Sequence, residues 1–131
     1  VEHLTAANER LRLQIAISYG GRWDILNAVR SVARAAMSGS LRVEQIDETV
    51  FAAALALGDV PDPDLFIRTG GEHRISNFLL WNLAYTELHF SDVLWPDFSP
   101  THLEAALAAF ALRDRRFGLT SEQTGATSQN A

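Results

Sequence analysis

The sequence predicts an α/β fold, the carboxyl half of a doubly wound parallel sheet. Short apolar runs alternate with longer helical patterns in the order β-α-(α)-β-α-β-α across 131 residues. The first two runs each lead into a paired glycine, Gly20-Gly21 and Gly70-Gly71, where the chain turns before the next helical pattern. Three strands alone make a poor parallel sheet, which needs neighbours and cover on both faces. The chain begins at Val1, and VEHLTAANER reads as the end of a helix and a turn. We therefore expect these residues to be part of a longer polypeptide and not to fold or catalyse independently.

Taken in order, residues 11–18 (LRLQIAIS) alternate Leu11, Leu13, Ile15 and Ile17 with Arg12, Gln14, Ala16 and Ser18, which predicts the first strand. After Gly20-Gly21, Asp24 is placed to cap a helix over residues 25–37, with Ile25, Val29, Val32, Ala33 and Ala36 on its apolar face and Gly39 at its end. Residues 41–58 read as helical, with a second start at Asp47-Glu48 that would divide them into two short helices. Pro61 and Pro63 then force a turn. Residues 64–67 (DLFI) form the next strand, residues 78–85 (FLLWNLAY) a buried helix and residues 87–90 (ELHF) the last strand. Ser99 or Thr101 caps a final helix built on Leu103, Ala106, Leu107, Phe110 and Ala111. Arg113, Arg115 and Arg116 crowd its end, where the helix dipole favours cations. Residues 119–131 are polar and are expected to be a disordered tail.

Composition narrows the function. A net charge of −5 argues against a nucleic-acid partner. Lysine is absent, so a bound phosphate would be held by Arg, His or backbone amides. Cysteine is also absent, which removes disulfides and thiolate metal sites. No apolar run approaches the length of a spanning helix. No signal-peptide pattern is visible, although a longer amino terminus would hide one.

Chemistry concentrates in residues 68–77, RTGGEHRISN. Arg68 and Arg74 stand six residues apart around two glycines, with Thr69 and Ser76 as hydroxyl donors. Guanidinium forks grip phosphate oxygens, and glycine lets backbone amides approach them. The same residues also read as an Arg-rich surface loop on a glycine turn. Gly20-Gly21 carries no P-loop or dinucleotide fingerprint, so a nucleotide-binding module lacks its motif and backbone geometry explains the pair. Glu87, at the junction of an apolar segment and a strand, reads equally as a Mg2+ ligand facing the loop or as a salt-bridge partner of one of its arginines. His73 and His89 have no obvious triad partners. The acids of residues 59–64 fit a proline turn without a metal.

YGGRWDI, DLFIRTGGEHRISNFLLWNLAYTEL, DVLWPDF and RDRRFG together resemble the carboxyl-terminal half of the cis-prenyltransferase (isoprenyl transferase) family, most of all its bacterial members. The resemblance runs over about residues 4–118, and RTGGExRxSNF is its most specific motif. It implies a parallel-sheet, Rossmann-like domain, with residues 1–118 as its carboxyl-terminal part. It also implies successive addition of isopentenyl diphosphate to an allylic diphosphate such as farnesyl diphosphate, making cis double bonds and a long polyprenyl diphosphate for cell-wall lipid carrier synthesis. By resemblance, Arg68, Arg74 and Ser76 hold the diphosphate of isopentenyl diphosphate, and Glu87 helps bind Mg2+, acting near a dimer partner. Residues 19–24 shape the site, and Arg113, Arg115 and Arg116 match the family's basic tail. Gln14 departs from the more usual Asn. The family's catalytic Asp lies in an amino-terminal HGNGRW-like loop absent from these residues, so no catalytic residue is assigned. The implied assembly is a cytoplasmic homodimer, loosely associated with membrane through its lipid product. An inactive homologue serving as a partner subunit is the alternative; retention of Arg68, Arg74, Ser76 and Glu87 favours the enzyme.

Overall fold

The computed structural model describes residues 2–113. Arg115, Arg116 and the expected tail at 119–131 lie outside the described residues. A short α1 (Glu2–Thr5) precedes a long α2 (Gly21–Met37). A 3-10 turn (Val43–Gln45) and α3 (Glu48–Ala53) follow, then β1 (Leu65–Arg68), β2 (Glu87–Phe90), a second 3-10 turn (Trp95–Asp97) and α4 (Pro100–Ala111). The fold is α/β with a parallel sheet at its centre.

β1 and β2 pair in parallel, Leu65 opposite Glu87 and Arg68 opposite Phe90. The pairing extends past both ends. The Glu87 amide donates to Asp64 O (3.1 Å), and the Ser91 amide donates to Arg68 O (2.8 Å). Every strand residue is half-buried, as a sheet covered in part on both faces requires. The expected strand at 11–18 does not form. Residues 11–16 have no regular structure, and Leu11, Leu13, Ile15 and Ile17 are 74–82% exposed. No neighbouring strand accepts their ladder hydrogen bonds among the described residues, and alternation cannot make a strand without one.

α2 starts four residues earlier than expected, because Gly20 occupies the N-cap position and Asp24 lies inside the first turn. Its buried stripe is Gly21, Asp24, Ala28 and Val32, spaced by three and four. The apolar face expected from the sequence is therefore rotated: Val29 is exposed, as are Trp23 and Leu26 beside it. Polar anchoring explains the rotation. The Ala56 amide donates to Asp24 Oδ1 (2.9 Å), and the Tyr19 hydroxyl donates to Asp24 Oδ2 (2.8 Å). A buried carboxylate needs such partners, and here they turn its side of α2 toward α3.

Residues 41–58 do divide as the Asp47-Glu48 signal indicated, and Asp47 Oδ1 accepts the Val50 amide (2.8 Å) as the N-cap of α3. Residues 78–85 do not form the expected helix but a succession of turns. Ser76, Asn77 and Leu79 all have positive φ, 45°, 64° and 45°. Left-handed residues at its entrance prevent a regular right-handed start, and a bond of α-helical span, Leu83 N to Leu79 O (3.0 Å), follows without continuing into a helix. The turns nevertheless bury Leu79, Asn82 and Leu83. Ser99 begins α4, its amide donating to His102 Nδ1 (3.0 Å), with Pro100 at the first helical position. Of the apolar positions expected to face the core from α4, Ala106 is buried, while Leu103 and Leu107 are exposed.

Two outcomes follow from this packing. A Cβ on Gly21 would stand 2.7 Å from Leu80 Cγ and 2.9 Å from the Leu80 amide nitrogen. Gly21→Ala should therefore lower stability by about 1–3 kcal/mol, the usual cost of overpacking, in denaturant unfolding of the full-length protein; an unchanged midpoint would show that the Leu80 backbone yields freely. Burial, then the hydrogen bond and charge of Asp24, push the Tyr19 phenol well above its ordinary range. Its neutral form is the one the fold prefers, so this contribution is complete below about pH 10 and is lost as pH rises through the folded value. Tyr19→Phe should be less stable than wild type at neutral pH by about 1–2 kcal/mol, with the gap narrowing only in alkaline solution.

Candidate functional site

Arg68 is the last residue of β1, at the carboxyl end of the parallel pair. Its Nη1 donates to Ser76 Oγ (2.7 Å) and to the backbone carbonyl of Arg74. One guanidinium therefore closes the loop on itself, joining its first residue to its last. Gly70 and Gly71 permit the closure with φ of 87° and 72°. Their amides donate outward, Gly70 to Val93 O (2.8 Å) and Gly71 to Ser91 O (3.0 Å), which ties the loop to the exit of β2. These two amides are thereby engaged by backbone instead of facing a ligand. The Arg74 guanidinium pairs with Glu72 and is 65% exposed, so it remains accessible to an anion at the mouth of the loop.

An aromatic chain lies against this loop. Ring centroids run from Tyr19 to Phe78 (5.6 Å), Phe78 to Phe66 (6.3 Å), Phe66 to Phe90 (6.5 Å) and Phe90 to His73 (5.2 Å). Sequence reasoning missed it because its members come from four separate segments. The signal was present in strand alternation, which puts Phe66 and Arg68 on one face of β1 and Phe90 on the matching face of β2. His73, with no obvious triad partner in the sequence, packs here on an aromatic ring.

Beyond the loop, the amide of Gly21 donates to Asn77 O (2.7 Å) and the amide of Arg22 to Asn77 Oδ1 (2.9 Å). The turn at Gly20-Gly21 thus meets another part of the chain, in keeping with its structural reading.

Arg68, Arg74 and Ser76 are brought together; Glu87 is not with them. It opens β2 opposite Leu65, three residues before the level of Arg68. At the rise of a parallel strand this is a separation of about 10 Å. Alternation also puts Glu87 on the opposite face of the sheet from Arg68. Its carboxylate pairs with Arg113, not with the loop arginines. Among the described residues no group of three or more His, Cys, Asp or Glu side chains could hold a metal ion. Within one copy of this chain, therefore, Glu87 and the loop do not fit a shared Mg2+. A hollow of about 780 Å3 lies against residues such as Asn8, Leu11 and Leu13 of the segment that lacks strand partners, and its lining includes no residue of the Arg68–Ser76 loop.

Comparison with known proteins identifies the family. The chain is 60% identical over 122 residues to the ditrans,polycis-undecaprenyl-diphosphate synthase ((2E,6E)-farnesyl-diphosphate specific) of Xanthomonas campestris, covering 93% of this chain and 47% of that protein. It is 58% identical over 125 residues to the enzyme of the same name from Pseudomonas putida, covering 95% and 50%. Among solved structures, it matches lavandulyl diphosphate synthase from Lavandula x intermedia, in complex with dimethylallyl diphosphate, with a TM-score of 0.85 and 43% identity over 89% of this chain and 50% of the other. A probable undecaprenyl diphosphate synthase from Campylobacter jejuni matches with a TM-score of 0.73 and 33% identity, over 89% and 52%. The chain spans about half the length of the curated relatives it matches. The family model described as "Putative undecaprenyl diphosphate synthase" matches residues 1–118, and the chain belongs to this prenyltransferase family.

Proposed function

We propose that the protein containing this chain is a cis-prenyltransferase. It adds isopentenyl diphosphate units to an allylic diphosphate, farnesyl diphosphate or similar, giving a long-chain polyprenyl diphosphate with cis double bonds for cell-wall lipid carrier synthesis. The observation that carries this reading is the loop that Arg68 closes on Ser76 and Arg74 at the carboxyl end of a parallel strand, where α/β folds take their ligands. Its relatives are synthases of this type. In this reading residues 1–118 are the carboxyl-terminal part of a single domain.

Arg68, Arg74 and Ser76 hold the diphosphate of isopentenyl diphosphate. Arg74 supplies the exposed charge, while Arg68 and the Ser76 hydroxyl fix the loop's shape and complete the polar cradle. Holding the diphosphate fixes the attached double bond relative to the acceptor, which converts an encounter into an oriented reaction. Phe66, Phe78 and Phe90 lie against the same loop and supply apolar surface beside the polar cradle. Mg2+ is the proposed cofactor, and when bound it would neutralise charge on diphosphate oxygens. Glu87 is a candidate carboxylate for it only through a partner copy or another part of the protein, given its place at the far end of the sheet.

We further propose a homodimer. Leu94, Trp95 and Leu107, beside or within the second 3-10 turn and α4, are exposed apolar side chains, which supports a further contact there. No described helix is long and apolar enough to cross a membrane; the proposed location is cytoplasmic, with loose membrane contact through the lipid product.

Three measurements check these readings. The full-length protein with farnesyl diphosphate and Mg2+ should incorporate labelled isopentenyl diphosphate, and a chelator should stop it; no incorporation under any metal condition would leave the partner-subunit alternative. Arg74→Ala should lose about 2–5 kcal/mol of substrate binding, the scale for truncating a charged hydrogen-bond partner, read as a raised KM for isopentenyl diphosphate. Unchanged kinetics would make Arg74 a surface residue. Sedimentation at micromolar concentration should give twice the subunit mass, and a single-subunit mass would remove the homodimer.

A further inference from the structure

We propose that Asn77 is a positioning residue for diphosphate uptake, latching the Arg68–Ser76 loop to the first turn of α2. The proposal rests on the diphosphate reading of that loop. Asn77 immediately follows Ser76, whose hydroxyl accepts from Arg68. It makes two bonds to the same helix end: its backbone carbonyl accepts the Gly21 amide at 2.7 Å and its Oδ1 accepts the Arg22 amide at 2.9 Å. These are the first amides of α2, which have no partner within the helix. The loop thus uses the donor end of α2 as its docking post.

Three observations make this latch more than a helix cap. First, the chain around it is strained. Ser76, Asn77 and Leu79 are left-handed, and for a residue as bulky as Leu79 that conformation is unfavourable. Such strain persists only where the surroundings hold it, and it gathers at binding sites. Asparagine is the non-glycine type best suited to φ of 64° while keeping a side-chain acceptor. Second, space is cleared for it: a Cβ on Gly20 would come within 2.9 Å of Asn77 Nδ2. Third, the post is rigid. α2 is fixed from its buried side by Asp24, which accepts from both Tyr19 and Ala56. The position of the Ser76 hydroxyl is therefore referred through Asn77 to α2, and not only through Arg68 to the sheet. Without the latch, the loop's end would be restrained by Arg68 and by the packing of the Phe78 ring, with no hydrogen bond to α2, and Ser76 and Arg74 would sample positions that miss the diphosphate.

Asn77→Ala in the full-length protein should raise KM for isopentenyl diphosphate and Kd for inorganic pyrophosphate on the order of tenfold, the effect of one lost hydrogen bond, with kcat within about twofold. Hydrogen exchange at the Arg22 amide, which loses its side-chain acceptor, should accelerate. Asn77→Asp, which keeps the acceptor, should restore KM and slow exchange. Gly20→Ala, whose φ of −152° any residue adopts, should raise KM by displacing the Asn77 side chain while leaving the fold intact. Asn77→Ala with a lowered melting temperature but unchanged KM and Kd would make the latch purely structural and overturn the proposal. So would Asn77→Asp behaving like Asn77→Ala. Wild-type protein that binds no pyrophosphate would overturn the diphosphate reading and the latch with it, whereas equal binding by wild type and Asn77→Ala would overturn the latch alone.

Discussion

A carboxylate that is 3% exposed must have its oxygens satisfied, and the way Asp24 meets that demand organises the amino-terminal side of this structure. One oxygen takes the Ala56 amide just beyond α3, and the other takes the Tyr19 hydroxyl. α2 is thereby held against α3, and the Tyr19 ring is held where it meets Phe78 edge-on. From Phe78 the contact passes to Phe66 on β1, so the loop beyond β1 is linked back to a single buried acid. The apolar part of this arrangement is modest: the fully or nearly buried side chains are small or medium-sized, Ala28, Val32, Leu55, Leu79, Leu83 and Ala106. Directional polar contacts accordingly carry much of the specification of how these elements meet.

The loop itself was legible because its chemistry is local. Arg68, Gly70, Gly71, Arg74 and Ser76 fall within nine consecutive residues, and a short apolar run before them gives the strand. The helix break at Asp47 was legible for the same reason. Illegible features depend on distant partners. Residues 11–18 have the alternation of a strand, but a strand exists only where another accepts its hydrogen bonds. Residues 78–85 have helical composition, yet the left-handed residues Ser76, Asn77 and Leu79 turn the chain aside toward α2. Asp24 looked like an N-cap because Asp commonly is one; its burial follows from Tyr19 and Ala56, which no spacing rule connects to it.

Glu87 shows how register governs what a site can contain. In sequence it stands 13 residues after Arg74 and looks available to the loop. In space the parallel pairing sends it to the other end of the sheet and to the other face, where Arg113 meets it. Parallel strands separate the residues that begin one strand from those that end its neighbour, whatever the length of the connection between them. Arg68, Arg74 and Ser76 consequently stand at the carboxyl ends of the strands, and the Glu87–Arg113 ion pair at the amino ends. The chain spans about half the length of its relatives.

The latch between Asn77 and Arg22 has a consequence for the order of folding. The bond closes a separation of 55 residues, and the parallel pairing of β1 with β2 must bring that crossover into place as well. Contacts so distant along the chain form only after large loop entropy has been overcome, whereas α2 and α3 can begin locally. The loop is therefore expected to acquire its shape late, once helix and sheet are already docked. Until then Arg68, Arg74 and Ser76 lie on an unshaped strand exit. On the proposed reading of the loop, affinity for diphosphate would then emerge as one of the last events of maturation and would report that a nascent chain has completed its fold.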